Sequence, residues 1–243
     1  MAFYEHNVHR PRIQDQRNQG RCLNRRIQIN IHRVENDFPS KLAFLKSILP
    51  REFQDLEKTL VFVQNEPRSI FLASKFVMRY RAGVSLLFEQ STTAKIKETY
   101  RNMRNGDIKL LVCRDISCRG LNADDLAQVV HFDNPIATSR QEMKKFIERC
   151  NLTGRSQGED VPRGDVHVFI NPDVQNDRAF LVKLLNLVAE QENGTRFEPW
   201  AIELANAEIR RRQELREQRV VQPRNEVDPI VAGILPAFRR LAP

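Results

Sequence analysis

Two hydrophobic rhythms alternate along this chain, one of period two and one near 3.6 residues. Ile27, Ile29 and Ile31 alternate with polar residues and predict a strand. Ser40 is a candidate N-cap for a helix over 41–49, with Leu42, Leu45, Ile48 and Leu49 on one face and Pro50 as the stop. Residues 59–63 read as a buried strand. Ile70, Phe71, Ser74, Val77 and Met78 then mark the apolar face of a helix ending near Gly83. A short strand over 84–88 precedes a helix over 91–104 that Asn105-Gly106 closes. Residues 108–113 and 129–132 are strands, Thr138 or Ser139 caps a helix to about Cys150, and 166–170 is the last strand. Strands alternating with amphipathic helices predict an α/β domain whose mostly parallel sheet is covered by helices on both faces.

Beyond that domain the pattern changes. Asp173 starts a helix whose apolar face is Phe180, Leu181, Leu184, Leu185 and Val188, and a second helix spans 199–219. The second becomes charged after Ile209, with arginines and glutamates mixed, which suits a solvated face or an RNA groove. From residue 220 the prolines at 223, 229, 236 and 243 forbid a regular helix throughout. The apolar pieces Ile230-Val231, Ile234-Leu235 and Phe238 suit a segment that needs a partner surface. The expected division is a basic arm over 1–26, the α/β domain over 27–172, a helical extension over 173–219 and a proline-containing tail over 220–243.

Composition narrows the function. Hydrophobic residues make up 41% of the 243, enough for a core, and charged residues 29%. The chain has no run of 18 apolar residues, so neither a transmembrane helix nor a membrane partner is expected. The net charge of +8 favours an anionic partner, with RNA the leading candidate. Arginines 10, 12, 17, 21, 25, 26 and 33 face only Glu5 and Asp15 in the first 33 residues, a local surplus of +5 from 7 − 2. Such an arm is either solvated or orders on RNA, through guanidinium pairing with phosphate and stacking on bases; an arginine-rich, acid-poor leader is a third reading. The candidate RNA contacts are Arg10, Arg12, Arg17, Arg21, Arg25 and Arg26, joined by Arg114. Cysteines 22, 113, 118 and 150 lack C-x-x-C spacing, which points to free thiols in a reducing compartment rather than disulfides or zinc. The five histidines have no metal-ligand spacing, so no metal site is expected.

The most informative stretch runs over 110–155: L-L-V-C-R-D-I-S-C-R-G-L-N, then V-V-H-F-D-N-P, then F-I-E-R-C-N-L-T-G-R. It resembles motifs V and VI of the second RecA-like domain of DEAD-box RNA helicases, on Asp115, Arg119, Gly120, Phe132, Asp133, Pro135, Arg149, Gly154 and Arg155. Upstream, T-L-V-F-V with Asn65 resembles motif IV, and the resemblance covers roughly 27–205. It implies a RecA-like fold, with Asp115, Arg119, Gly120, Asp133, Arg149, Gly154 and Arg155 as vestiges of the helicase motifs.

The departures are as informative. Arg114 stands where the family has an RNA-contacting Thr, Asn122 where it has a ribose-binding carboxylate, and Glu148 where it has His. Asn151 stands for a Gly, and Leu152 for the first of two arginine fingers. None of the nine glycines is followed by Lys and there is no Asp-Glu-Ala-Asp, so neither a P-loop nor its acidic Mg²⁺ motif is present. No catalytic residue and no cofactor is therefore expected. The resemblance implies an inactive helicase-like module within a large ribonucleoprotein, contacting RNA (ribosomal RNA the specific expectation) and neighbouring proteins. A mitochondrial or other organellar ribosome, or an assembly intermediate of one, is the expected setting. The alternative is the C-terminal half of an ATP-dependent RNA helicase whose P-loop domain is separate or missing, and a third reading is a mimic that occupies a helicase's partner.

Overall fold

The computed structural model describes residues 22–35, 37–88, 90–114, 126–154, 164–189 and 197–221, with side chains to 218. Six strands form one all-parallel sheet: β1 (Ile27–Arg33), β2 (Thr59–Phe62), β3 (Val84–Leu87), β4 (Leu110–Cys113), β5 (Gln128–His131) and β6 (Gly164–Ile170). Their spatial order is β1-β6-β5-β2-β4-β3. Strand residues alternate between two apolar layers, as a pleat requires. Leu60, Phe62, Leu111, Cys113, Val129, Val166 and Val168 face one core, and Val61, Val63, Leu110, Val112, Val130 and Phe169 the other.

Right-handed crossovers decide which helix covers which face. The chain moves one way across the sheet through α1 (Phe38–Ile48) and α2 (Glu66–Tyr80), which bury Leu42, Leu45, Leu72 and Phe76 in the second core. It returns through α3 (Thr93–Asn105) and α4 (Arg140–Cys150), which place Tyr100, Met103, Phe146 and Ile147 in the first. There α5 (Gln175–Ala189) lies between the sheet and α6 (Pro199–Val221). The expected face of α5 is buried, and Ala179 and Val182 are buried too. Helix α6 is pinned by Glu208, whose buried carboxylate takes Arg178, Arg211 and Arg212 at 2.8–3.3 Å. Those guanidiniums hold its pKa down at about 2 despite burial.

Local chemistry corrects several expected boundaries. The N-cap of α1 is Asp37, not Ser40: its carboxylate accepts the Ser40 N–H at 2.8 Å, and a proline in the first turn needs no donor. Thr92 caps α3, and Gly106 closes it in the left-handed conformation at φ 85°. Ser139 caps α4 through its hydroxyl. The larger correction concerns α2. Its buried face is Ser69, Leu72, Ala73, Phe76 and Tyr80, while the residues expected to be buried, Ile70, Phe71, Val77 and Met78, are 46–81% exposed.

Candidate functional site at the carboxyl edge

Helix α2 follows β2 on one face of the sheet and α4 follows adjacent β5 on the other, so the crevice outside β2 and β5 is the topological switch point. Ligands of open α/β sheets bind at such crevices. Here protein groups bridge it. The Gln64 backbone N–H donates to Asp133 Oδ2 at 3.0 Å, and Gln64 Nε2 donates to the Asn134 carbonyl at 2.7 Å. Asp133 also faces Arg68 Nη1 at 3.5 Å and Lys41 Nζ at 3.8 Å. The same Nζ donates to the Phe132 carbonyl at 3.2 Å. Asn134 ties the turn to β6 by donating to the Phe169 carbonyl, and Asn176 of α5 holds Pro135 and Ala137.

Beneath the crevice lies a second cluster. The Arg149 guanidinium sits 5.0 Å from the Phe62 ring centroid, and that ring stacks on His131. Burial first, and the Arg149 charge second, push His131 well below its ordinary pKa, so the imidazole is neutral. Its Nε2 lies 3.6 Å from Cys150 Sγ. Burial pushes that thiol far above the usual range, which removes the thiolate a nucleophile would need. Arg149 is itself buried.

The turn after α4 lies at the opposite, amino edge. Thr153 Oγ1 donates to the Leu126 and Ala127 carbonyls just before β5. Gly154 adopts φ 68°, a backbone sign that favours glycine, and a Cβ there would stand a tight 3.2 Å from the Arg26 carbonyl oxygen. Leu152 is 5% exposed and belongs to the first core. Asn151 Oδ1 accepts the Asn24 backbone N–H, Asn151 Nδ2 donates to the Cys22 carbonyl, and Asn24 Nδ2 donates to the Gly154 carbonyl, all at 2.8–2.9 Å.

The expected site residues thus divide. Asp133 lies in the switch-point crevice, Arg149 beneath it, and Gly154 at the amino edge. Arg25 and Arg26 precede β1 at the amino edge, with Arg25 exposed. Arg114 follows β4 at the carboxyl edge, 3.8 Å from Glu66, so the structure does not bring Arg114 together with Arg25 and Arg26. Arg10, Arg12, Arg17, Arg21, Asp115, Arg119, Gly120 and Arg155 lie outside the described residues. The sequence reading overlooked Lys41, Gln64 and Arg68. Of these only Lys41 left a trace, as a lysine four residues before Leu45 in the apolar stripe of α1. Among the described residues no three His, Cys, Asp or Glu side chains cluster as metal ligands. No described helix is long and apolar enough to cross a membrane.

Residues 40–157 match the model of the helicase conserved C-terminal domain. The DEAD-box ATP-dependent RNA helicase rde-12 of Caenorhabditis elegans is 26% identical over 170 residues, covering 70% of this chain and 17% of that protein. The ATP-dependent RNA helicase DHH1 of Yarrowia lipolytica is 25% identical over 208 residues, covering 82% of this chain and 33% of that one. The chain therefore spans about a third or less of the length of these two relatives. The C-terminal domain of the DEAD-box protein Dbp5 superposes with a TM-score of 0.54 at 18% identity, covering 68% of this chain and 86% of that domain. The yeast DEAD-box splicing factor Prp28 gives 0.57 at 19% identity, covering 83% and 39% respectively.

Proposed function

Because residues 40–157 match the helicase conserved C-terminal domain and the six-stranded sheet they belong to superposes on the C-terminal domain of Dbp5, we propose that this chain is a catalytically inactive helicase-like module that binds RNA and neighbouring proteins within a large ribonucleoprotein. The observation that carries this reading is Leu152. The position that resembles an arginine finger holds an aliphatic side chain packed into the core, so it offers no cation to a phosphate. Glu148, at the position of the motif VI His, is on the surface, 3.7 Å from Lys144. The switch-point crevice, where an anion would sit, is bridged by Gln64, Asp133 and Arg68.

RNA is the proposed partner because the chain is basic and because its relatives are RNA helicases by name. Dbp5 has been solved bound to RNA and ADP BeF3, which speaks for that protein. A mitochondrial ribosome or its assembly intermediate is the particle we propose, supported by the basic arm and the C-terminal extension that flank the domain.

The test is sedimentation of the native chain from cell extract before and after RNase, with ATP turnover measured on the same fractions. A large particle dispersed by RNase and lacking turnover dependent on this chain is expected. Turnover abolished by Arg155→Ala would overturn the reading. One observation favours a second: the chain covers only a part of relatives named as ATP-dependent. If it is the C-terminal half of a helicase, it will copurify with one P-loop-bearing chain regardless of RNase, and mixing the two will produce RNA-stimulated ATPase activity.

A further inference from the structure

Six large apolar residues are exposed among the described residues, and four of them, Ile70, Phe71, Val77 and Met78, lie on α2. At about 100° per residue these four and Ser74 form one continuous stripe along the solvent side of the helix. The stripe is about 12 Å long, the rise of two helical turns. Scattered exposed apolar residues need no explanation, but a contiguous stripe on one helix marks an interaction surface.

The charges beside the stripe are one-sided. Arg68, Lys75 and Arg79 follow one another along a single flank, while Glu66 is the helix's one acid. Lys75 Nζ lies 4.7 Å from the Phe71 ring centroid, so the cationic flank and the apolar stripe meet there. Arg79 donates to the carbonyls of Lys46, Leu49 and Arg51, and Arg68 faces Asp133. Lys75 has no ion pair among the described residues.

We propose that the solvent face of α2 docks a helix from another protein, one that carries an apolar stripe flanked by a row of carboxylates. Ridge-into-groove packing of two amphipathic helices buries such a stripe, and the acidic row answers Lys75. A second copy of this chain fits poorly, because α2 has no row of carboxylates to offer and the chain carries a net charge of +8. Nucleic acid fits poorly as well, since the four apolar side chains have no donors for phosphate and the Ser74 hydroxyl donates to the Phe71 carbonyl. The inference stands whether or not the chain binds RNA.

The test places the photo-crosslinking amino acid p-benzoylphenylalanine at Met78 in the full chain, and at exposed Lys97 of α3 as a control. Irradiation in cells, followed by mass spectrometry of the adduct, identifies the segment in contact. The expected result is an adduct from Met78, absent from Lys97, with a peptide of another protein that has apolar residues at three- to four-residue spacing and acids beside them. That peptide, synthesised, should bind the purified chain, and Lys75→Glu should weaken it roughly fivefold or more with the fold unchanged by circular dichroism. An adduct with a nucleotide, with a second copy or with this chain's own residues 222–243 would overturn the proposal. So would no position-specific adduct, or binding indifferent to Lys75→Glu.

Discussion

Asn151 reaches across the turn after α4 to accept the Asn24 backbone N–H at 2.8 Å, joining residues 127 apart in sequence. Its amide also donates to the Cys22 carbonyl, and Asn24 returns a bond to Gly154. The DEAD-box pattern has glycine at this position, which could make neither side-chain bond. The substitution therefore fastens the segment entering β1 onto the turn that enters β6.

The first prediction follows from that clamp. Asn151→Gly should remove both side-chain bonds and lower stability by about 1–2 kcal/mol, the net worth of two partly exposed hydrogen bonds. Urea denaturation measures the loss. Amide exchange of Asn24 and Arg26 should accelerate more than that of β4, because the damage is local. Uniform acceleration across the sheet would show that the clamp does not act as described.

Asp133 and Arg68 should respond very differently to truncation, although they face each other. Asp133 is the one carboxylate serving the Gln64 N–H and buried Lys41 as well as Arg68. Asp133→Ala leaves Lys41 without its counter-charge and should cost about 2–3 kcal/mol. The Arg68 side chain is 55% exposed, and Arg68→Ala should cost less than about 0.5 kcal/mol. Equal costs in denaturant titrations would mean that the crevice is not organised around the carboxylate.

Three histidines set a pH dependence with a definite sign. Burial holds His167 at about 4, burial with the His167 charge holds His32 at about 4, and burial with the Arg149 charge holds His131 well below its ordinary value. All three are below the ordinary 6.5, so between about 4 and 6.5 the unfolded chain binds more protons than the folded one. Stability must then fall as pH drops through that window. From pH 7 to pH 5 the loss from His167 and the partly exposed His32 together should be about 3 kcal/mol, and His131 adds to it in the same direction. Urea midpoints at the two pH values test this, and His167→Gln should flatten the profile. A midpoint unchanged between pH 7 and 5 would contradict the buried neutral state.

These relationships differ in how far they could be read from the chain. Strand positions such as 59–62 and 110–113 were legible because every residue there is buried and all but Thr59 are apolar. The buried side of α2 was not. Ser69, Ala73 and Tyr80 face the core with Leu72 and Phe76, while bulkier apolar residues sit outside, so hydropathy alone selects the wrong face. Ser69 is accommodated because its hydroxyl donates to the Asn65 carbonyl at 2.9 Å. Lys41 and Asp133 meet only because α1 crosses the end of β5, and no local pattern encodes a pair so far apart. At motif VI the substitutions were plain in sequence, but only the fold reveals that Leu152 points into the core rather than toward a ligand.

That last point makes a reversal experiment informative. If Leu152 were a surface remnant of an arginine finger, Leu152→Arg would be tolerated and would restore part of a nucleotide site. Because the side chain packs among the first-core residues, an arginine there must bury a guanidinium among these apolar side chains or force the turn open. The cost should be at least about 3 kcal/mol. The variant should melt well below the parent and should hydrolyse no ATP, alone or with RNA. The neighbouring Thr153 and Gly154 contacts to Leu126, Ala127 and Arg26 leave the turn little room to swing outward. A Leu152→Arg chain that kept the parental stability and gained nucleotide binding would show that the turn adopts a second arrangement, and the inactive reading would fall with it.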